Sequence, residues 1–158
     1  RTNFQSMHCG MCGTTHRPPS QSSANKRKIE SMDIKNLNRV APFTTKDGSE
    51  IRELLAHRNS CVRNQSLAEA RLPGGAATIP HLHPQTEEIY YILQGRGEMI
   101  LAHEKQNVMP GDAIAIPPGV PHQVVNHTGD PLIFLCCCAP AYEHDDTVML
   151  TEEMRAVA

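Results

Sequence analysis

Two stretches decide how this chain is read: Gly75-Ala-Ala-Thr-Ile-Pro-His81-Leu-His83-Pro-Gln-Thr-Glu87-Glu88-Ile-Tyr-Tyr-Ile-Leu-Gln-Gly95, and Gly111-Asp-Ala-Ile-Ala-Ile-Pro117-Pro-Gly119-Val-Pro-His122-Gln-Val-Val-Asn126. His81 and His83 are one residue apart, so on a strand both imidazoles leave the same face and enter one cavity. Glu88 opens a run, Ile89-Tyr90-Tyr91-Ile92-Leu93, whose β-branched and aromatic residues predict a strand. Alternation places Glu88, Tyr90 and Ile92 on one face and Glu87, Ile89 and Tyr91 on the other. Only one of the two glutamates can then share the cavity with the histidines. His122 follows the turn signal Pro117-Pro118-Gly119 and begins another short strand. Three imidazoles and a carboxylate suit a divalent first-row transition metal. A single His-x-His pair is a weak signal. Its combination with a Pro-x-Gly-x-x-His segment is a strong one.

These two segments resemble the two motifs of the cupin family. Gly75, His81, His83, Glu88 and Gly95 match G-x5-H-x-H-x3,4-E-x6-G, and the count to Gly95 selects Glu88 over Glu87. Gly111, Pro117, Gly119, His122 and Asn126 match G-x5-P-x-G-x2-H-x3-N without a gap. The resemblance implies an all-β fold, a small antiparallel jelly-roll barrel (the double-stranded β-helix). It implies that His81, His83, Glu88 and His122 bind one divalent metal per chain, whether Fe, Mn, Ni or Zn. It also implies a homodimer. The family includes dioxygenases, decarboxylases, isomerases, lyases and epimerases as well as non-catalytic members, and fold does not choose among them. The expected function is a mononuclear metal-dependent enzyme, dioxygenase-like, acting on a small oxygenated organic substrate. The alternatives are a redox-silent isomerase or lyase on a sugar or organic acid, and a non-catalytic metabolite binder. Glu88 and Tyr90 are the catalytic candidates. Tyr90 is placed to orient a substrate or donate a proton, or else simply to fill the barrel, with Ile92 and Val124 as further lining.

With 158 residues and a formal charge of −2, the chain has room for one domain with a real core and carries no basic footprint for nucleic acid. No apolar run approaches membrane-spanning length, and no secretory h-region is visible, so the cytoplasm is the expected location. The six cysteines do not read as a disulfide framework. Cys136-Cys137-Cys138 are adjacent in an apolar run, where neighbours point to opposite faces. They read as small buried hydrophobes in a reducing compartment, or as a run with one thiol facing the cavity.

Residues 1–31 read as a flexible tail, polar and without periodicity. Phe4-Gln5-Ser6-Met7 resembles what a protease leaves of a cleavable tag. Cys9 and Cys12, with His8 and His16, form a weak zinc-like signal that lacks a second pair. The barrel is expected over residues 32–150, beginning with a short edge strand at Met32 to Asn38. Further strands are expected at Ile51–Leu55, Leu67–Leu72, Glu98–Ala102, Ala113–Ile116 and through the cysteine run. Arg58 to Cys61 are expected to border the cavity, His103 to Val108 to form a polar connection, and His144 to pair with Asp145 or Asp146. Residues 151–158 read as a tail or short helix. Short strands punctuated by Gly and Pro at regular intervals argue independently for an antiparallel sandwich or barrel.

Overall fold

In the computed structural model, residues 32–151 are described, and they form two antiparallel sheets. The first holds, in spatial order, β1 (Phe43–Thr44), β2 (Glu50–Leu55), β3 (Ser66–Leu72), β10 (Leu132–Ala139), β5 (Glu87–Gln94) and β8 (Ala113–Ile116). The second holds β11 (Val148–Met149), β4 (His81–Leu82), β9 (His122–Val125), β6 (Gly97–Leu101) and β7 (Glu104–Val108). From β3 onward the chain crosses between the sheets at every step except β6 to β7, and the two motif segments contribute to both.

Period-two patterning builds the core between the sheets. On β10, Leu132, Phe134, Cys136 and Cys138 are buried while their neighbours are partly exposed. On β5 the same alternation buries Glu88, Tyr90 and Ile92 and leaves Glu87, Ile89 and Tyr91 outside. Phe134 lies opposite both Ile92 and Ala70 in the register, and its ring is tilted against Tyr90 with centroids 4.6 Å apart. Burial of a side chain this size contributes about 2–3 kcal/mol, and an aromatic pair adds up to about 1 kcal/mol. Met99 and Val124 close the core from the second sheet.

Two motif residues hold turns rather than metal. Gly95 has φ +84°, and a Cβ there would meet the Pro131 carbonyl oxygen at 2.4 Å, so only glycine fits this corner. Asn126, fully buried, donates through Nδ2 to the carbonyls of Leu72 (3.2 Å), Pro73 (3.1 Å) and Asp130 (2.7 Å). Its Oδ1 accepts from Thr128 N at 3.0 Å. One side chain therefore ties together the turns that follow β3 and β9. Asn126→Ala leaves buried backbone groups unpaired and is expected to cost about 2–3 kcal/mol, seen as a lower denaturant midpoint with an unchanged slope.

The fold corrects four local expectations. Residues 32–38 form no strand. Leu37–Arg39 is a 3-10 turn, with Asn36 Oδ1 accepting from Asn38 N at 3.0 Å, and such local side-chain capture competes with strand pairing. The polar stretch after His103 is strand β7, paired in register with β6. It is an exposed sheet edge, so it lacks the apolar alternation that marks half-buried strands. Arg58 to Cys61 contribute no lining residue to the cavity, although Arg58 stands behind two that do, Glu53 and Tyr142. Ile92 and Val124 belong to the sealed core and not to the cavity wall. The readings for residues 1–31, including Cys9 and Cys12, and for residues 152–158 lie outside the described residues.

Candidate metal centre

The site is built across the two sheets. His81 on β4 and His122 on β9 are directly opposed in the antiparallel register. Their rings lie 4.2 Å apart between centroids. His83 follows just beyond β4, and its carbonyl accepts from Gly119 N at 2.7 Å, so the Pro-x-Gly turn of the second segment is fastened to the His-x-His of the first. Glu88 enters from β5, in the other sheet. Its Oε2 lies 3.5 Å from Nε2 of both His83 and His122. One nitrogen from each of the three histidines lies within 4.8 Å of the others, and all three side chains are buried.

The tautomers follow from what lies behind each ring. Nδ1 of His81 faces the Ile79 carbonyl at 2.8 Å, Nδ1 of His122 the Val120 carbonyl at 3.1 Å, and Nδ1 of His83 the Asp146 carbonyl at 3.3 Å. A carbonyl only accepts, so each Nδ1 carries a proton and Nε2 is the nitrogen whose lone pair each ring, when neutral, offers to the centre. Nε2 of His122 and Oε2 of Glu88 are buried and complete no hydrogen bond. Buried polar atoms are rarely left so. Three convergent lone pairs and an unpartnered carboxylate oxygen are the donors a divalent cation needs, and the residues fit it. Three buried histidines can therefore hold a metal ion here.

Electrostatics agree. Burial opposes a charge on Glu88, but the imidazoles of His122 and His83 outweigh it and hold the carboxyl at about 2. Burial, with the neighbouring His122, lowers His81 to about 4. His83 moves the other way: burial would lower it, but the adjoining Glu88 carboxylate prevails and its pKa is raised. In the metal-free chain His83 thus keeps a proton that a metal must displace, while Glu88 stays ionised at any ordinary pH. Apparent metal affinity is expected to fall about tenfold per pH unit below pH 6.5, where His83 is protonated. Competition titrations at pH 5.5 and 6.5 check this, and a flat profile contradicts it.

His81, His83 and Glu88 line a small cavity of about 50 Å³ that opens to solvent. Tyr90 is on its wall, as expected, with its ring 6.0 Å from that of His122. Its burial raises the phenol well above its usual value, so it stays protonated. Cys136 and Cys138 also face the cavity, while Cys137 points away. Cys138 is paired in register with Glu88 and donates to its Oε1 at 3.3 Å. Burial and the Glu88 charge raise both thiols, which are therefore neutral donors rather than thiolates.

Several wall residues went unnoticed in the sequence. Asp47, 7% exposed, accepts at Oδ1 from Ser49 N (3.2 Å) and Ser49 Oγ (2.8 Å). Glu53, Tyr142 and Thr147 are on the same wall. None lies in a motif, and Tyr142 and Thr147 come from beyond the last long strand. His144 is not the partner of Asp146. The Asp146 carboxylate instead accepts from the backbone N–H groups of Gln85 (3.2 Å) and Thr86 (3.0 Å), bracing the loop between His83 and β5.

Comparison with known proteins bears on this arrangement directly. The family model described as "Cupin domain" matches residues 68–138, which contain His81, His83, Glu88 and His122. The chain belongs to the cupin family. An uncharacterized protein of Methanocaldococcus jannaschii is 50% identical to this cupin over 113 residues, covering 72% of this chain and 90% of that one. A glucose-6-phosphate isomerase of Thermococcus gammatolerans is 33% identical over 72 residues, covering 41% of this chain and 38% of the isomerase. Among solved structures, a polyketide cyclase from Streptomyces resistomycificus superposes with a TM-score of 0.64 at 25% identity, over 79% of this cupin and 91% of the cyclase.

Proposed function

We propose that this cupin is a mononuclear metal-dependent enzyme that acts on a small oxygenated organic substrate by redox-silent chemistry, as an isomerase or lyase. The observation that carries the reading is the convergence of three Nε2 lone pairs and Glu88 Oε2 between the sheets, at a cavity open to solvent. Four protein donors leave coordination positions open, unlike a closed structural site. A metal held there supplies Lewis acidity toward a carbonyl or hydroxyl oxygen. The chain's own groups do the rest. His81, His83, His122 and Glu88 hold the ion, and Cys138 fixes the far oxygen of Glu88. Asp47, a second buried carboxylate on the same wall, is placed to take and return a proton, the step that isomerisation and elimination share. Tyr90 and Phe134 keep the inner wall apolar.

The named relatives support this choice, since an isomerase and a cyclase are among them. A dioxygenase reaction is the second reading. It is favoured by the apolar inner wall of Ile51, Phe134 and Cys136 and by the same open positions. Elemental analysis with an oxygen-electrode trace separates the two. Zinc, manganese or nickel and turnover of hydroxyketones without oxygen uptake is the expected result. Iron with obligatory oxygen uptake overturns it in favour of the dioxygenase. Metal uptake with no turnover of either substrate class leaves metabolite binding as the function.

A further inference from the structure

Tyr142 has no part in the site as built so far, yet its hydroxyl, like the Glu88 Oε2 that faces the histidines, is a buried cavity-wall group left open among the described residues. It lies beyond β10, and its ring stands edge-on to His83 with centroids 6.0 Å apart. Its Oη is buried in the cavity wall and completes no well-formed hydrogen bond among the described residues, the Thr147 hydroxyl being near enough only to lower the phenol's pKa against the larger rise from burial. The neighbouring Thr147 hydroxyl is engaged with the Glu143 carbonyl (3.4 Å) and His83 Nδ1 (3.5 Å). Buried hydroxyls are ordinarily partnered, so an open one beside the metal ligands needs an explanation. Its backbone is pinned on both sides. Tyr142 N donates to Ser66 Oγ at 2.9 Å, and its carbonyl accepts from Arg58 at 3.0 Å. The phenol is thus held in place without being used, which is the condition of a preorganised ligand contact.

The charges on the wall narrow what that ligand is. Asp47, Glu53 and Glu88 line the cavity, and among the described residues neither lysine nor arginine does. Arg58, beside the cavity, is committed to Glu53 at 3.0 Å. A divalent metal is balanced by Glu88 and Asp47 together. A phosphate or a second carboxylate would bring further negative charge toward Asp47 with no cation to meet it.

We propose that Tyr142 is a substrate-binding residue, donating its phenol to an oxygen of an uncharged hydroxy- or keto-bearing molecule whose other oxygens reach the open metal positions. This rests on the metal-centre reading above. The test uses the full chain loaded with cobalt(II), whose visible spectrum reports on ligands at the metal. The probes are dihydroxyacetone and dihydroxyacetone phosphate, each titrated into wild type and Tyr142→Phe. Dihydroxyacetone is expected to shift the wild-type spectrum and to bind about tenfold more weakly to Tyr142→Phe, the usual scale for one lost hydrogen bond to a ligand. Cobalt content should stay the same, and thermal stability should be unchanged or raised, because the removed hydroxyl completed no well-formed hydrogen bond. The phosphate ester is expected to bind more weakly than the free hydroxyketone. Equal affinity in Tyr142→Phe overturns the contact, and an equal or tighter phosphate ester overturns the substrate class. Cobalt uptake with neither probe perturbing the spectrum overturns both. Failure of the wild type to take up cobalt refutes the metal-centre reading itself and is distinguished from these outcomes by the metal content alone.

Discussion

His122→Ala is expected to bind divalent metal at least about a hundredfold more weakly than the wild-type chain while keeping the all-β fold. The size of the effect follows from its position. His122 is 2% exposed, and its Nε2 has no hydrogen bond. Its Nδ1 is spent on the Val120 carbonyl, so the free lone pair has no other use. Losing only a group that orients a metal ligand costs about ten- to a hundredfold in affinity, and losing the donor itself should cost more. The truncation leaves a void beside His81, which destabilises, but it also removes an orphaned buried nitrogen, which offsets part of that loss. His122→Gln keeps most of the volume without the imidazole and separates lost ligation from lost packing. Calorimetric titration of both variants, with circular dichroism for the fold, checks the prediction. Wild-type affinity in either variant contradicts it.

Glu88→Ala should weaken metal binding by a similar factor, whereas Glu87→Ala should leave it within about twofold, although the two carboxylates are adjacent in sequence. The strand decides this. Glu88 is 5% exposed and faces the histidines, while Glu87 is exposed on the opposite face of β5. A pH signature accompanies the loss. Glu88 is what holds the His83 pKa up, so removing it lowers His83 back toward the value burial favours. Metal binding by Glu88→Ala, weak as it is, should therefore depend less on pH between 5.5 and 6.5 than binding by the wild type. Glu88→Gln, which keeps the shape and loses the charge, should behave like Glu88→Ala on both counts. Comparable losses in the Glu87 and Glu88 variants contradict the face assignment. So does an unchanged pH slope in Glu88→Ala.

What could be read from the residues was governed by how local the signal is. The His-x-His spacing, the Pro-x-Gly turn and the alternation around Tyr90 are short-range patterns, and they single out the four side chains that the fold brings together at the candidate site. Alternation also separated Glu88 from Glu87. The pairing of His81 against His122, and the reach of Glu88 across from the other sheet, depend on strand order, which no short window contains. Asp47 and Tyr142 were missed for the same reason. Asp47 follows a two-residue strand and looks like any Asp-Gly turn, and Tyr142 sits in a loop of acidic residues. Only the closing of the sheets brings both to the cavity. Strand β7 was missed because its residues face water, so the edge carries no apolar alternation. The reading of residues 32–38 as a strand failed because alternation over so few residues is outweighed by one asparagine side chain that captures the backbone.

The most direct test of the account is elemental analysis of the purified chain, as isolated and after reconstitution, beside a His81→Ala, His122→Ala double variant. The account predicts about one divalent first-row transition metal per wild-type chain and roughly a tenth of that or less in the variant. A wild-type chain that takes up no metal, or a double variant that retains as much as the wild type, contradicts it.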